Sequence, residues 1–182
     1  TLPHIEMEPE QKTKLQILEN KTRNIGEKLG LVEVITYSFI NPASFDQLNL
    51  PKEHEWRQCI KVANPLSEEQ SVMRTTLLPG LLSVSERNFS RRQRDLGIFE
   101  LGRIFLPDQT SLLPEERLHF GALLTGSFSP GWLWQEQELN FYYLKGLVER
   151  LLTELIGQNP NFKTFVCDPI FHPGRAAQVF LA

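Results

Sequence analysis

Residues 96–106, LGIFELGRIFL, and residues 117–126, RLHFGALLTG, decide how this chain is read. Both carry apolar and aromatic residues in strand-like patterns. In the second, Leu118, Phe120, Ala122 and Leu124 fall on one face of an extended chain, as a period of two requires. The two are expected to pair antiparallel, with Gly97 and Gly102 as bends or bulges in the first. Upstream, a helix is predicted from about Thr76. Its apolar stripe is Leu77, Leu78, Leu81, Leu82, Val84 and Ser85, with Pro79 tolerated in its first turn and Glu86, Arg87 and Asn88 toward solvent.

Working outward, Leu15, Leu18, Thr22, Ile25 and Leu29 recur at steps of three and four, which predicts one amphipathic helix over about residues 10–29. Gly30 stands where a left-handed residue closes a helix, and LVEVITYSFI (31–40) reads as a strand directly after it. Asn41-Pro42 offers a cap and first position for a short helix through Leu48. PKEHEW (51–56) reads as a surface loop ahead of a short strand at Ile60 to Ala63, and Ser67 with Gln70 fits a capping box. Downstream, Phe141 to Ile156 is predicted helical, with Phe141, Leu144, Val148, Leu151 and Leu155 inward and Gly157 at its C-terminal end. Strand-like NFKTFVC (161–167) and AAQVFLA (176–182) close the sequence. Helices interleaved with hairpin-forming strands imply an α+β fold, an antiparallel sheet backed by helices.

The 182 residues, 41% hydrophobic and 23% charged, suit a globular domain and exclude coiled coil and disorder. No apolar run reaches the ~18–20 residues of a membrane span, and TLPHIEMEPE lacks the basic-then-apolar order of a signal peptide, so a cytoplasmic location is expected. The chain opens at Thr1 without an initiator methionine and stops within an apolar run at Ala182, which suggests a segment of a longer protein. Cys59 and Cys167 are read as small core hydrophobes. A net charge of −3 argues against a dedicated nucleic-acid module.

Phosphate-binding glycine loops and a nucleophile elbow have no match in the sequence. His4, His54, His119 and His172 are scattered. His119, on an apolar strand, reads as structural, as does His172 on the His-Pro-Gly-Arg turn. Glu68-Glu69 and Glu115-Glu116 read as solvated loop acids. Arg87, Arg91, Arg92 and Arg94, in ERNFSRRQRD with Phe89 available for stacking, have two readings: a clamp on a phosphate backbone, or a solvated loop.

NPLSEEQSVMRTTLLPGLL (64–82), FELGRIFLP (99–107), FYYLKGLVERLL (141–152) and HPGRAA (172–177) together resemble, in order and spacing, the catalytic-like module of the bacterial-type phenylalanyl-tRNA synthetase β chain; GLVEVITYSFINP (30–42) fits the same family. Asn140 and Tyr143 depart from a pattern that often shows aspartates. The resemblance implies a class II synthetase-like antiparallel sheet flanked by helices, with residues 1–9 a linker and residues 10–182 the domain, shortened at both ends relative to the full β chain. It also implies an α2β2 ligase that charges tRNA(Phe) with phenylalanine. In that assembly the α subunit uses ATP and magnesium, while this module packs against α without a catalytic residue, cofactor or metal of its own and without a membrane.

The subunit contact is expected at Met73, Arg74, Leu77, Leu78 and Leu81, and RNA contact at Arg91, Arg92 and Arg94. Aligning the family's Gly-Arg-aromatic pattern on Gly102-Arg103-Ile104-Phe105 puts Leu106 where a class II arginine grips the ATP α-phosphate. Leucine has no such charge. The third class II motif would follow Ala182, the magnesium carboxylates and editing site would precede Thr1, and an anticodon-binding domain would lie downstream. The competing readings are a free-standing class II-like enzyme and a module chiefly for tRNA binding.

Overall fold

Thr13 opens the first helix with a reciprocal cap: its Oγ1 accepts from the Gln16 N–H at 3.2 Å, and Gln16 Oε1 accepts from the Thr13 N–H at 2.8 Å. The computed structural model describes residues 12–108, 110–111, 113–128, 135–165 and 169–181. The linker expected over residues 1–9, together with His4 and Cys167, lies outside these described residues. The elements run α1 (Lys14–Lys28), β1 (Val32–Glu33), β2 (Phe39–Ile40), α2 (Ser44–Gln47), β3 (Val72–Met73), α3 (Leu78–Ser90), β4 (Leu96–Leu106) and β5 (Glu115–Thr125). They continue with β6 (Ser127–Phe128), β7 (Gln137–Glu138), α4 (Phe141–Ile156), β8 (Asn161–Thr164) and β9 (Ala177–Phe180). Gly30 and Gly157 follow α1 and α4 with positive φ, as the sequence predicts.

The central sheet has the order β1-β4-β5. β4 and β5 pair antiparallel without interruption from Leu96↔Thr125 to Leu106↔Glu115. The ladder passes through Gly97 and Gly102 with no bulge. β1 adds in parallel, so the sheet is mixed rather than wholly antiparallel. Among the described residues, the far edge of β5 has no strand beside it. The single strand expected over 31–40 is two: the chain leaves β4 after Val34, whose N–H donates to the Phe99 carbonyl, and resumes as β2 against β3. The strand expected at Ile60 to Ala63 is reduced to a bridge from Lys61 to Val72.

Because strand side chains alternate, β4 is buried on both faces. Ile98 and Ile104 join Leu77 and Leu81 at α3, while Phe99 joins Leu31 and Leu147 between α1 and α4. Phe120, Ala122 and Leu124 reinforce the second cluster, as their alternation requires. α1 crosses Phe99 at Gly26, where a Cβ would lie 2.9 Å from Phe99 Cζ; this is why the helix carries a glycine in its interior. A third cluster of Ile40, Phe45, Leu50 and Val72 joins β2, α2 and β3, and Cys59 packs against it as the sequence reading expects. Each of these buried side chains contributes roughly 1.5–3 kcal/mol of transfer free energy.

Several local readings are corrected. α4 is buried along Leu147 and Leu151, with Tyr143 packed on the same cluster, rather than along a face centred on Leu144 and Val148. Apolar residues almost encircle this helix, so periodicity alone leaves its rotation undetermined. Leu82 is exposed although it was placed in the α3 stripe. Ser67 precedes a single 3-10 turn, Glu68–Gln70, without a side-chain cap. Another such turn, Glu55–Arg57, lies at the end of the PKEHEW loop. Glu115 and Glu116 begin β5 rather than standing in a loop.

Leu81 is 2% exposed and Leu151 5%. Placing aspartate at either position buries an unpaired charge at a cost of several kcal/mol. Far-UV circular dichroism melts of Leu81→Asp and Leu151→Asp should show a native state lost or reduced by 10 °C or more, a drop of the order that several kcal/mol produces in a domain this size.

Candidate functional site

Glu100 breaks the apolar run of β4 with a carboxylate that is almost completely enclosed. Its partner is Arg74, whose Nη1 donates to Glu100 Oε1 at 2.7 Å. Thr36 closes the triangle: its Oγ1 donates to Glu100 Oε2 at 2.7 Å, its N–H donates to Oε1 at 3.2 Å, and Oγ1 accepts from Arg74 Nη1 at 3.0 Å. Arg74 Nε donates to the Arg103 carbonyl at 2.7 Å. Its main chain also bridges two segments, with its N–H bonded to the Ser38 carbonyl and its carbonyl to the Phe105 N–H, both at 2.9 Å. Among the described residues no buried side-chain nitrogen or oxygen is without a partner. A Cβ at Gly102 would collide with the Arg74 guanidinium, so this glycine makes room for a charge instead of bending the strand.

Leaving the β4 ladder to reach Glu100 turns the 34–38 segment outward. Ile35 is 91% exposed and Tyr37 76%. With Phe39 and Leu82 they line a groove of about 840 Å³ between this segment and α3, and Glu69 and Arg87 stand among its polar groups.

The expected contact residues divide. Arg74, Leu77 and Leu81 are covered by this chain itself, by the Glu100 network and by the core under α3, so they offer no free surface; Met73 and Leu78 are part-exposed. Arg91, Arg92 and Arg94 are exposed in the loop from α3 to β4, with no ion-pair partner among the described residues. Leu106 ends β4 and packs against the Leu77 and Leu81 cluster, an apolar contact at the position aligned with the phosphate-gripping arginine. His119 lies opposite Gly102 in the ladder, and desolvation, followed by the Arg117 cation, holds its pKa below the usual histidine value. His172 Nδ1 accepts from the Gly174 N–H at 3.1 Å, a turn-stabilising contact. Burial raises the Cys59 thiol pKa, against smaller opposing effects of Arg57 and Thr75, which disfavours its reactive thiolate. Among the described residues no three His, Cys, Asp or Glu side chains gather as a metal site.

Comparison with known proteins places this geometry. The family model for the phenylalanyl tRNA synthetase beta chain CLM domain matches residues 1–182. The chain belongs to this family. Similar curated proteins are the phenylalanine–tRNA ligase beta subunits of Moorella thermoacetica and Geobacter metallireducens. They are 45% and 41% identical, and each match covers 98% of this chain and 22% of the relative. The beta subunit of Syntrophus aciditrophicus is 40% identical over 100% of the chain and 23% of its own length. The CLM domain thus spans about a fifth of the curated relatives it matches.

A solved pyrrolysyl tRNA synthetase from Desulfitobacterium hafniense superposes with a TM-score of 0.58 over 93% of this chain and 54% of that one, at 18% identity. That likeness is one of fold, a class II synthetase architecture of mixed α and β structure. Within the CLM domain, the sequence reading missed the Glu100–Thr36 network and the exposed Ile35 and Tyr37. A lone carboxylate in the middle of LGIFELGRIFL was the available signal for the first.

Arg74→Ala should cost about 3–5 kcal/mol because it strands the Glu100 carboxylate in the interior, while Arg74→Met with Glu100→Leu should recover most of that loss. Urea unfolding of both variants beside the unsubstituted domain checks the difference.

Proposed function

We propose that this CLM domain is a non-catalytic assembly module of the β subunit of phenylalanine–tRNA ligase, and that it packs against the catalytic α subunit of an α2β2 enzyme in the cytoplasm. The α subunit adenylates phenylalanine with ATP and magnesium and transfers it to tRNA(Phe). The observation that carries the reading is the face made by Ile35, Tyr37 and Phe39. These large apolar side chains lie in water beside a groove, although the same segment is anchored from behind by the buried Thr36–Glu100 contact. A rigid exposed apolar face of this kind marks a protein contact. Of the contact expected at Met73, Arg74, Leu77, Leu78 and Leu81, this reading keeps the part-exposed Met73 and Leu78 as candidates and adds the face on the other side of the same network.

Leu106 supports the non-catalytic part. Class II phosphate contact at that position requires a permanently charged, two-pronged donor, and the side chain there is apolar and packed against the Leu77 and Leu81 cluster. The β subunit by itself should therefore give no amino-acid-dependent ATP–pyrophosphate exchange; persistent exchange through successive purification steps would contradict the reading.

The assembly part is tested by Ile35→Asp with Tyr37→Asp in the full β subunit. Both positions are already solvated, so the melting temperature of the β subunit should hold within about 3 °C, a bound set by the small effects of surface substitutions. Co-elution with α on size-exclusion should be lost or weakened at least tenfold. Undiminished co-elution would remove this face from the subunit contact.

A further inference from the structure

Three arginines in four residues stand on the loop from α3 to β4, and their surroundings distinguish them from every other arginine but two. Arg23, Arg57, Arg74, Arg103, Arg117 and Arg150 each reach a carboxylate at 2.7–3.7 Å. Among the described residues, those without such a partner are Arg87, Arg91, Arg92, Arg94 and Arg175. Four of these five fall within residues 87–94, in a chain whose net charge is −3. The nearest acid downstream, Asp95, forms no ion pair with them among the described residues: its Oδ1 accepts from the Ser127 N–H at 2.9 Å and from the Ser127 hydroxyl at 3.3 Å.

The backbone supplies a second, independent observation. α1 and α4 are followed by glycines in the left-handed region, at φ 82° and 78°. After α3 the left-handed residue is Arg92, at φ 65°. Its Cβ makes this conformation strained where glycine would adopt it freely. Arginine at a glycine position, in a turn held by Arg91 N–H to Asn88 O and Arg92 N–H to Phe89 O at 2.9 Å, is poorly explained by stability alone. One turn back, Phe89 is 44% exposed on α3.

We infer that Arg91, Arg92 and Arg94, with the Phe89 ring, form an RNA-docking site that takes a phosphate backbone on the guanidinium groups and an unpaired base on the ring. The assignment to RNA rests on the reading of this chain as part of a tRNA ligase. Planar guanidinium forks match phosphate oxygens in pairs, and a neighbouring aromatic ring offers a surface on which any base stacks. An acidic protein would use the same charges but would gain no stacking from an exposed ring.

The test uses the α2β2 enzyme and a labelled tRNA(Phe) transcript, titrated by fluorescence anisotropy over a range of salt. Each phosphate contact contributes roughly 0.7–0.9 to the slope of log affinity against log salt, so replacing Arg91 and Arg94 by alanine and Arg92 by glycine should lower the slope by about 2–3. Arg92→Gly alone should leave the melting temperature equal or higher while affinity falls, a combination that a purely structural arginine would not produce. Phe89→Leu should weaken binding roughly five- to tenfold at an unchanged slope, because stacking releases no counterions. Unchanged affinity and slope in the triple variant, with α2β2 elution retained, would overturn the site, as would equal competition by poly-glutamate at matched charge. If α and β fail to co-elute even without substitutions, the assembly reading fails, and the same slope criterion is applied to the full β subunit alone.

Discussion

Removing a guanidinium and a carboxylate from water carries a penalty of several kcal/mol per ion, and the Arg74–Glu100 pair offsets it only because every polar atom around it is engaged. The arrangement is demanding. Arg74 bonds through its side chain to Glu100, Thr36 and the Arg103 carbonyl, and through its main chain to Ser38 and Phe105. Segments that are distant in the sequence therefore meet at one residue: the 34–38 segment, the approach to α3 and the second half of β4. A slip of β4 by one residue would turn Glu100 onto the Phe99 face, away from Arg74, so the pair fixes register as much as it stabilises.

Around that constraint the hydrophobic clusters divide the work. β4 carries Ile98 and Ile104 toward α3 and Phe99 toward α1 and α4, while the Ile40, Phe45, Leu50 and Val72 cluster sits to one side. The same departure from the ladder that brings Thr36 to Glu100 leaves Ile35 and Tyr37 facing water. Internal order and external stickiness thus arise from one deviation of the chain.

Much of this was legible. The β4–β5 pairing, α1 with its glycine stop and α4 with Gly157 follow from periodicity and capping chemistry, which are local. What escaped depends on distance along the chain or on occupancy of space. Arg74 and Glu100 are separated by 26 residues, and nothing local pairs them. Gly102 looked like a bend because a sequence shows a missing Cβ and not the guanidinium that fills its place. The 31–40 stretch has the composition of one strand, but its middle is pulled out of the ladder by contacts made elsewhere. Arg74, Leu77 and Leu81 are apolar or amphipathic enough to suggest a subunit contact, and only the packing shows that the chain covers them itself. For the arginine loop, composition marked the charge, whereas the lack of ion-pair partners among the described residues and the left-handed Arg92 are properties of the folded chain.

The open edge of β5 has a further consequence, for solubility. Along this eleven-residue strand every second residue presents its backbone donor and acceptor on that side with no neighbouring strand among the described residues, and an exposed edge of this length is a template for pairing with another copy. Charge guards only its beginning. Glu115, Glu116 and Arg117 occupy the first three positions, and Arg117 forms a two-pronged bond to Glu115, so much of that charge is spent locally. From Leu118 to Leu124 the strand has no charged gatekeeper apart from what His119 supplies when protonated, and desolvation disfavours that form. Crowded copies of this chain would accordingly tend to associate edge to edge through the Phe120 to Leu124 half of β5, and acidification that charges His119 would oppose it.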